Sequence, residues 1–374
     1  MIIDYFVGFS LDGVSGKRKA TNEKARKLKK QSTEFNLYSL NPRLERLFGV
    51  YISLILSEIS YVIKFFLKKK KPDILYVRSL FGFIISLIAK FESTKIIFEV
   101  HSDFRDESKI LYKNRFYQVL SAFINSIFIS SLRKADGVIF NNPDLERYFI
   151  NEYNLNRAKT ISIYNGSNTV DFYPEEKSIT RSRLNLNYKE NDYVLVFTGS
   201  VSKWHGVHHL IEVFEYLVTE FKKNNFFLYI VGGTESEYRN KLIDKYHHLD
   251  SLIFIENVPT EIARDYINAA DICMLPVSEI RVSQGSPLKL YDYIACGKPI
   301  VTQSNVMGYS DVVDRNNLGI SVNFYNPESA ARVINDFYAN ADLQKISSEN
   351  ELKAKNELNW SNVIKGWIKF AQKI

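Results

Sequence analysis

Short apolar runs rich in β-branched and aromatic residues alternate along this chain with longer stretches of helical periodicity, and that alternation constrains the fold more than any other feature. After an opening strand-like run, such segments lie at Asp73–Arg78, Lys95–His101, Gly137–Asn141 and Thr160–Tyr164. In the second half they lie at Tyr193–Gly199, Phe226–Val231, Leu252–Ile255, Ile272–Pro276, Pro299–Thr302 and Gly319–Val322. Alternation of this kind predicts parallel sheets with helices on both faces. Runs that are apolar at every position, such as Tyr193-Val194-Leu195-Val196-Phe197, suit strands buried on both sides. At 374 residues the chain is long for one core, and two domains of about 150–200 residues fit it. The turn Asn165-Gly166-Ser167-Asn168 and the polar stretch from Pro174 to Lys177 mark the connector. The expected fold class is α/β, with doubly wound domains over residues 1–168 and 169–359. A C-terminal helix over residues 360–374 completes the first.

Doubly wound sheets bind ligands at the carboxyl ends of their strands, so the loops there are the place to search. The most informative is Gly285-Ser286-Pro287-Leu288-Lys289-Leu290-Tyr291-Asp292, which leads through a helix to Gly297 and Pro299. A helix entered through Gly-Ser-Pro exposes unpaired N–H groups and a positive dipole end, which favour an anion. Lys289 adds a full charge in the first turn, and Asp292 offers a carboxylate to sugar hydroxyls one turn on. Those parts suit a phosphate joined to a sugar. Pro at the start of a helix and Gly after its end are also ordinary punctuation, so the motif needs its context. Other loops in such positions are Gly199-Ser200-Val201-Ser202-Lys203-Trp204-His205-Gly206, Gly232-Gly233, and His101-Ser102-Asp103.

Apolar residues make up 45% and charged residues 24% of the chain, a globular balance. The two cysteines, Cys273 and Cys296, sit in apolar segments and read as buried thiols rather than a disulfide or metal site. No histidine pair has metal-ligand spacing, and the chain does not open like a secretory signal. The formal charge of +7 is concentrated in Lys17–Lys30 and Lys68–Lys71. The second run follows the apolar segment Leu47–Leu67, in which Glu58 and Lys64 interrupt a membrane span. Basic residues beside an apolar helix point to an anionic membrane surface, the alternative being a solvated helix face. No nucleic-acid-binding module surrounds these runs, so nucleic acid is not an expected partner.

Together these residues resemble the family-4 glycosyltransferases, retaining enzymes of the GT-B fold, in which two Rossmann-like domains face each other across a cleft. The likeness spans nearly all of Asn165–Lys373 and is looser in the first half, at Phe98-Glu99-Val100-His101 and Asp12-Gly13-Val14-Ser15-Gly16. The resemblance implies a nucleotide-sugar donor held mainly by the second domain. It places His101, Lys289 and Gln284 at the reaction centre. Gly13, Gly16, Gly199, Ser200, Lys203, Gly232, Val258, Gly285, Ser286, Pro287, Leu288 and Asp292 line the donor. The family's paired glutamates are Gln284 and Asp292 here, and its two cations beside the first loop of the second domain are Ser200 and His205. Lys203 is the nearby candidate to replace them. No Asp-x-Asp pair occurs, so the expected chemistry needs no metal or other cofactor: Lys289 and a helix N-terminus would stabilise the leaving diphosphate. Retention in this family proceeds by front-face attack, so no protein nucleophile is assigned. The implied function is hexosyl transfer to a glycan acceptor, lipid-linked, in a bacterial surface polysaccharide or capsule pathway, at the inner face of the cytoplasmic membrane. Two alternatives stay open at this point: a nucleotide-sugar 2-epimerase of the same fold, and a degenerate, non-catalytic scaffold subunit.

Overall fold

A computed structural model of the chain describes every residue except 13–14, 80, 87, 89–92, 106–113, 187–188, 190–191, 234–235 and 279–284. The chain divides into two compact units, Met1–Asn165 with Trp360–Ile374, and Gly166–Asn359.

The first unit runs β1 (Ile2–Val7), α1 (Gly16–Gln31), β2 (Glu34–Ser39), α2 (Pro42–Leu67), β3 (Ile74–Arg78), α3 (Phe83–Ser86), β4 (Lys95–Val100), α4 (Arg115–Lys134), β5 (Gly137–Phe140), α5 (Pro143–Tyr153) and β6 (Thr160–Ser162). The strands form one sheet in the order β2-β1-β3-β4-β5-β6, parallel throughout. Alternate residues serve opposite faces. Leu75, Val77, Ile96 and Phe98 pack with α2 and α4 on one side, whereas Ile74, Tyr76 and Ile97 pack with α1 and Trp367 on the other. Trp367 belongs to α14 (Trp360–Lys373), numbered after the helices of the second unit, and its ring lies 5.1 Å from that of Tyr76.

Helix α2 opens at the Asn41 cap with Pro42 in its first turn, and a left-handed Gly49 (φ 73°) breaks it near its start. Its inward stripe carries Leu54, Glu58, Tyr61 and Phe65. Polar groups on that stripe moor it. Glu58 accepts from the Gly82 amide at 2.7 Å and Ser79 at 3.2 Å, and Tyr61 donates to Asp4 of β1 at 2.8 Å. Lys68, just past the helix end, binds the same aspartate at 2.5 Å. Among the described residues it is the one helix long and apolar enough to cross a membrane. Its other face is also apolar: Ile52, Leu56, Ile59, Ile63 and Phe66 point outward and are exposed.

The second unit runs α6 (Lys177–Arg183), β7 (Tyr193–Thr198), α7 (Val207–Thr219), β8 (Phe226–Val231), α8 (Glu237–Lys245), β9 (Leu252–Ile255), α9 (Thr260–Ala269), β10 (Ile272–Leu275), α10 (Leu288–Ala295), β11 (Ile300–Gln303), α11 (Ser310–Arg315), β12 (Gly319–Val322), α12 (Pro327–Asn340) and α13 (Leu343–Asn356). Its sheet, again parallel, has the order β12-β11-β10-β7-β8-β9. The chain starts at β7, moves out to β9, and returns to place β10 on the other side. The strand order therefore reverses between β7 and β10, and a crevice opens at such a switch point. Buried Lys298 donates to the Asn268 and Ala270 carbonyls at 2.7 and 3.1 Å and so caps the end of α9. Cys273 and Cys296 are buried and unpaired with each other.

Candidate functional site

Loops from four strands of the second unit meet at the carboxyl end of its sheet. Gly199 follows β7 and donates its amide to the Val231 carbonyl at 2.9 Å. A Cβ on Gly232 would come within 2.7 Å of the Gly199 carbonyl oxygen, so the loops after β7 and β8 touch backbone to backbone. A Cβ on Gly206 would meet the backbone of Val277, just after β10. A Cβ on Gly308, after β11, would lie 2.0 Å from the Gly285 oxygen. Gly199, Gly232, Gly285 and Gly308 all have positive φ, a backbone conformation that an L side chain rarely adopts.

Helix α10 carries the charge into this ring of glycines. Pro287 caps it without a side-chain hydrogen bond, Leu288 opens it, and Gly297 ends it in the left-handed conformation. Tyr293 holds it to β7, accepting from the Thr198 amide at 2.8 Å and from its hydroxyl at 3.2 Å. Ser286 is buried and donates to the Tyr291 hydroxyl at 3.3 Å. Lys289 reaches from the first turn of α10 to the end of β7. Its Nζ lies 4.1 Å from the Phe197 ring centre and 2.9 Å from where a Gly199 Cβ would be. Among the described residues this ammonium has no hydrogen-bond or ion-pair partner. Burial lowers its pKa to about 7, against the opposing pull of Asp292 three residues on. A partly buried cation without a counter-ion is costly, and a bound anion removes that cost.

The other residues expected from the sequence to line the donor are distributed less tightly. Ser200 and His205, which stand where the family has cations, bond to each other: His205 Nδ1 lies 2.8 Å from the Ser200 carbonyl oxygen, 3.0 Å from its hydroxyl and 2.8 Å from that of Ser202. They staple the loop after β7. Lys203 is exposed on a single turn beside them. Val258 is half-buried on the connection from β9 to α9. Asp292 is half-buried. Gly16 sits in the first turn of α1 behind the Ser15 cap. Gly13 and Gln284 lie outside the described residues.

In the first unit, His101 follows β4 and belongs to a buried polar cluster. Glu99 Oε1 accepts from His101 Nε2 at 2.5 Å and pairs with Lys24 of α1. Glu99 Oε2 accepts from Tyr76 at 2.5 Å and Tyr5 at 3.3 Å. Burial opposes the Glu99 charge, but Lys24, His101 and Arg78 outweigh it, His101 also through its hydrogen bond, and hold the carboxyl well below the usual range. Asn141 Nδ2, just past β5, lies 3.2 Å from His101 Nδ1. The roles of Lys24, Glu99 and Asn141 are not evident in the sequence alone. Lys24 was one cation of a basic run, yet it is 6% exposed. The signal was Glu99 itself, because a charge in an otherwise apolar buried strand requires a partner.

Comparison with known proteins settles the family. A model described as "Glycosyl transferases group 1" matches residues 178–354, and one described as "Glycosyltransferase Family 4" matches residues 25–170. The chain belongs to the family-4 glycosyltransferases. It is 24% identical to an uncharacterized glycosyltransferase of Methanocaldococcus jannaschii over 302 residues, 80% of this chain and 73% of the relative. It is also 24% identical to spore coat protein SA of Bacillus subtilis, over 58% of this chain and 59% of that protein. Among solved structures it resembles a sucrose-phosphate synthase of Thermosynechococcus elongatus (TM-score 0.76, 16% identity, 99% of this chain and 98% of that one). It likewise resembles Anabaena HepE in complex with UDP (TM-score 0.74, 14% identity, 100% of both chains). At such identities the structural likeness establishes the fold, which is GT-B.

A diphosphate bound at Lys289 would make nucleotide binding pH-dependent, because the pKa of this lysine is lowered. At pH 8, above a value of about 7, much of the free protein carries neutral Lys289, and a diphosphate favours the charged form. Calorimetric titration with the cognate nucleoside diphosphate at pH 8, in buffers of different ionisation enthalpy, is expected to show proton uptake. At pH 6 the uptake by this group vanishes. The same shift sets a stability trend. Between about 7 and 10.5 the unfolded chain binds more protons at this lysine than the folded chain, so its contribution to stability rises with pH across that window.

Proposed function

We propose that this glycosyltransferase moves a hexose, with retention of configuration and without a metal, from a nucleotide-sugar donor to a lipid-linked glycan acceptor in surface-polysaccharide synthesis. One observation carries the donor reading. A partly buried ammonium with no hydrogen-bond or ion-pair partner among the described residues stands at the switch point of the second unit's sheet, beside backbone at left-handed glycines. Such a site favours the diphosphate of a leaving nucleotide, stabilising its charge as the glycosidic bond breaks. Asp292 is the group offered to ribose hydroxyls. HepE, of the same fold, has been solved with UDP and glucose and with UDP-glucose. WaaG, also similar in fold, is described as involved in lipopolysaccharide biosynthesis.

The acceptor reading rests on α2. Its moored face is the one that carries Glu58, and its free face is apolar. Lys64, Lys69 and Lys70 are exposed at its end. A helix with apolar residues turned outward and cations at its margin fits the inner, anionic face of a membrane, where a lipid-linked acceptor is met.

The test offers labelled UDP-, GDP-, ADP-, dTDP- and CMP-sugars to the protein in EDTA, with vesicles of bacterial lipid extract. The expected result is label from one donor in the organic-extractable product, with the anomeric configuration of the donor. A 2-epimer formed from donor alone would replace transfer by epimerisation. Label that stays in water-soluble glycan would remove the lipid-linked acceptor.

A further inference from the structure

A chain of directed hydrogen bonds runs from the start of α5 to the buried carboxylate of Glu99. The Leu145 amide donates to Asn142 Oδ1 at 2.9 Å, the side-chain cap of α5. That contact leaves Asn142 Nδ2 as a donor, and it faces Asn141 Oδ1 at 3.4 Å. Asn141 must then present Nδ2 to its other neighbours, His101 Nδ1 at 3.2 Å and the His101 carbonyl at 3.4 Å. An amide nitrogen can only donate, so His101 Nδ1 accepts and carries no proton. The remaining proton is on Nε2, which donates to Glu99 Oε1. Each link is fixed by the one before it, beginning at a backbone N–H that cannot reverse its role. At the far end Glu99 also receives Lys24, Tyr76 and Tyr5, so both its oxygens are occupied by donors.

We infer that Asn141 and Glu99 are positioning residues that lock His101 as a neutral imidazole with its proton on Nε2, so that the ring takes part in transfer as a fixed polar group and not as a proton carrier. The clause on transfer rests on the function proposed above; the tautomer does not. The charges around the ring agree with the lock. Glu99 of β4, Lys24 of α1 and Arg78 of β3 act on it, and Tyr76 of β3 and Tyr5 of β1 face the Glu99 carboxylate behind it. Burial lowers the His101 pKa to about 4, Arg78 and Lys24 acting in the same direction and Glu99 against them.

The experiment is a ¹⁵N-histidine pH titration of the whole protein beside kinetics of the wild type, Asn141→Asp and Asn141→Ala. In the wild type the His101 signals keep the pattern of an Nε2-protonated ring and do not titrate between about pH 6 and 8. Asn141→Asp places a carboxylate at Nδ1 and demands a proton there. His101 then titrates within that window, and kcat falls about 10- to 100-fold, with donor KM little changed. Turnover of this variant recovers as pH rises through the new pKa, a limb the wild type lacks. Asn141→Ala removes the donor without adding charge; Glu99 still holds the Nε2 proton, so the tautomer stays and kcat falls through the looser ring alone. A wild-type His101 that titrates near neutrality, or is protonated on Nδ1, overturns the lock. Variants with wild-type kcat and pH profile overturn the positioning role. Absence of transfer from every donor, with the tautomer as described, would sink the functional reading alone.

Discussion

Replacing Lys289 with Met lowers turnover by about 10²–10³-fold, the usual loss when one group that stabilises developing negative charge is removed. The substitution keeps the apolar stem over the Phe197 ring and deletes only the ammonium, which is 4.1 Å from the ring centre. Donor affinity is expected to fall as well, because under the proposed function the charge meets the diphosphate already in the ground state. The fold does not suffer. A partly buried cation whose pKa is pulled down to about 7 by burial opposes folding when protonated, so its removal leaves the unliganded protein at least as stable below neutral pH. Turnover assays and thermal melts at pH 6 read the two effects separately. Near-normal turnover would take Lys289 out of the mechanism.

Gly308→Ala is expected to damage the same site by a different route. The residue has φ 87°, and the new methyl would sit 2.0 Å from the Gly285 oxygen and 3.5 Å from Ser286 Cα. Both obstacles are backbone atoms, so no rotamer change relieves them. Either the loop after β11 retreats or Gly285 and Ser286 leave the start of α10. Strain at a left-handed position adds to the collision. The expected outcome is a lowered melting temperature together with at least a tenfold loss of nucleotide affinity, measured by thermal melts and calorimetric titration. Gly366→Ala is the control. It lies within α14 with open space around its Cβ position, and a helical Gly-to-Ala change there stabilises by about 0.5–1 kcal/mol. Unchanged affinity in Gly308→Ala would mean that the Gly285 loop does not need its packing against Gly308.

Much of this architecture was legible in the pattern of apolar residues. Strands Phe226–Val231, Leu252–Ile255 and Gly319–Val322 occur where the apolar runs placed them; the first is almost wholly buried and has no polar position to confuse it, whereas the other two are half-buried edge strands. Strand β2, Glu34–Ser39, was not legible. It is an edge strand, Glu-Phe-Asn-Leu-Tyr-Ser, half-buried or exposed at every position, and it lacks the continuous apolar run that marks the inner strands. Within the site, Gly285 to Asp292 could be read because glycine, proline and lysine each have a local reason to be there. The link from Tyr293 to Thr198 could not, since it spans 95 residues. Ser200 and His205 looked in sequence like two lost cations; in the structure they are hydrogen-bonded partners within one loop. The burial of Lys24 was hidden by its neighbours. Lys27, Lys29 and Lys30 give the same basic pattern whether one member faces water or Glu99.

The most direct test of the donor site is the melting temperature of wild type and Lys289→Met with UDP, GDP, ADP, dTDP and CMP, each with and without EDTA. A ligand that binds only the folded protein raises that temperature by mass action. One nucleotide is expected to stabilise the wild type equally in both conditions and to leave Lys289→Met unstabilised. No stabilisation by any nucleotide, or an equal shift in the two proteins, would contradict the placement of the diphosphate at Lys289.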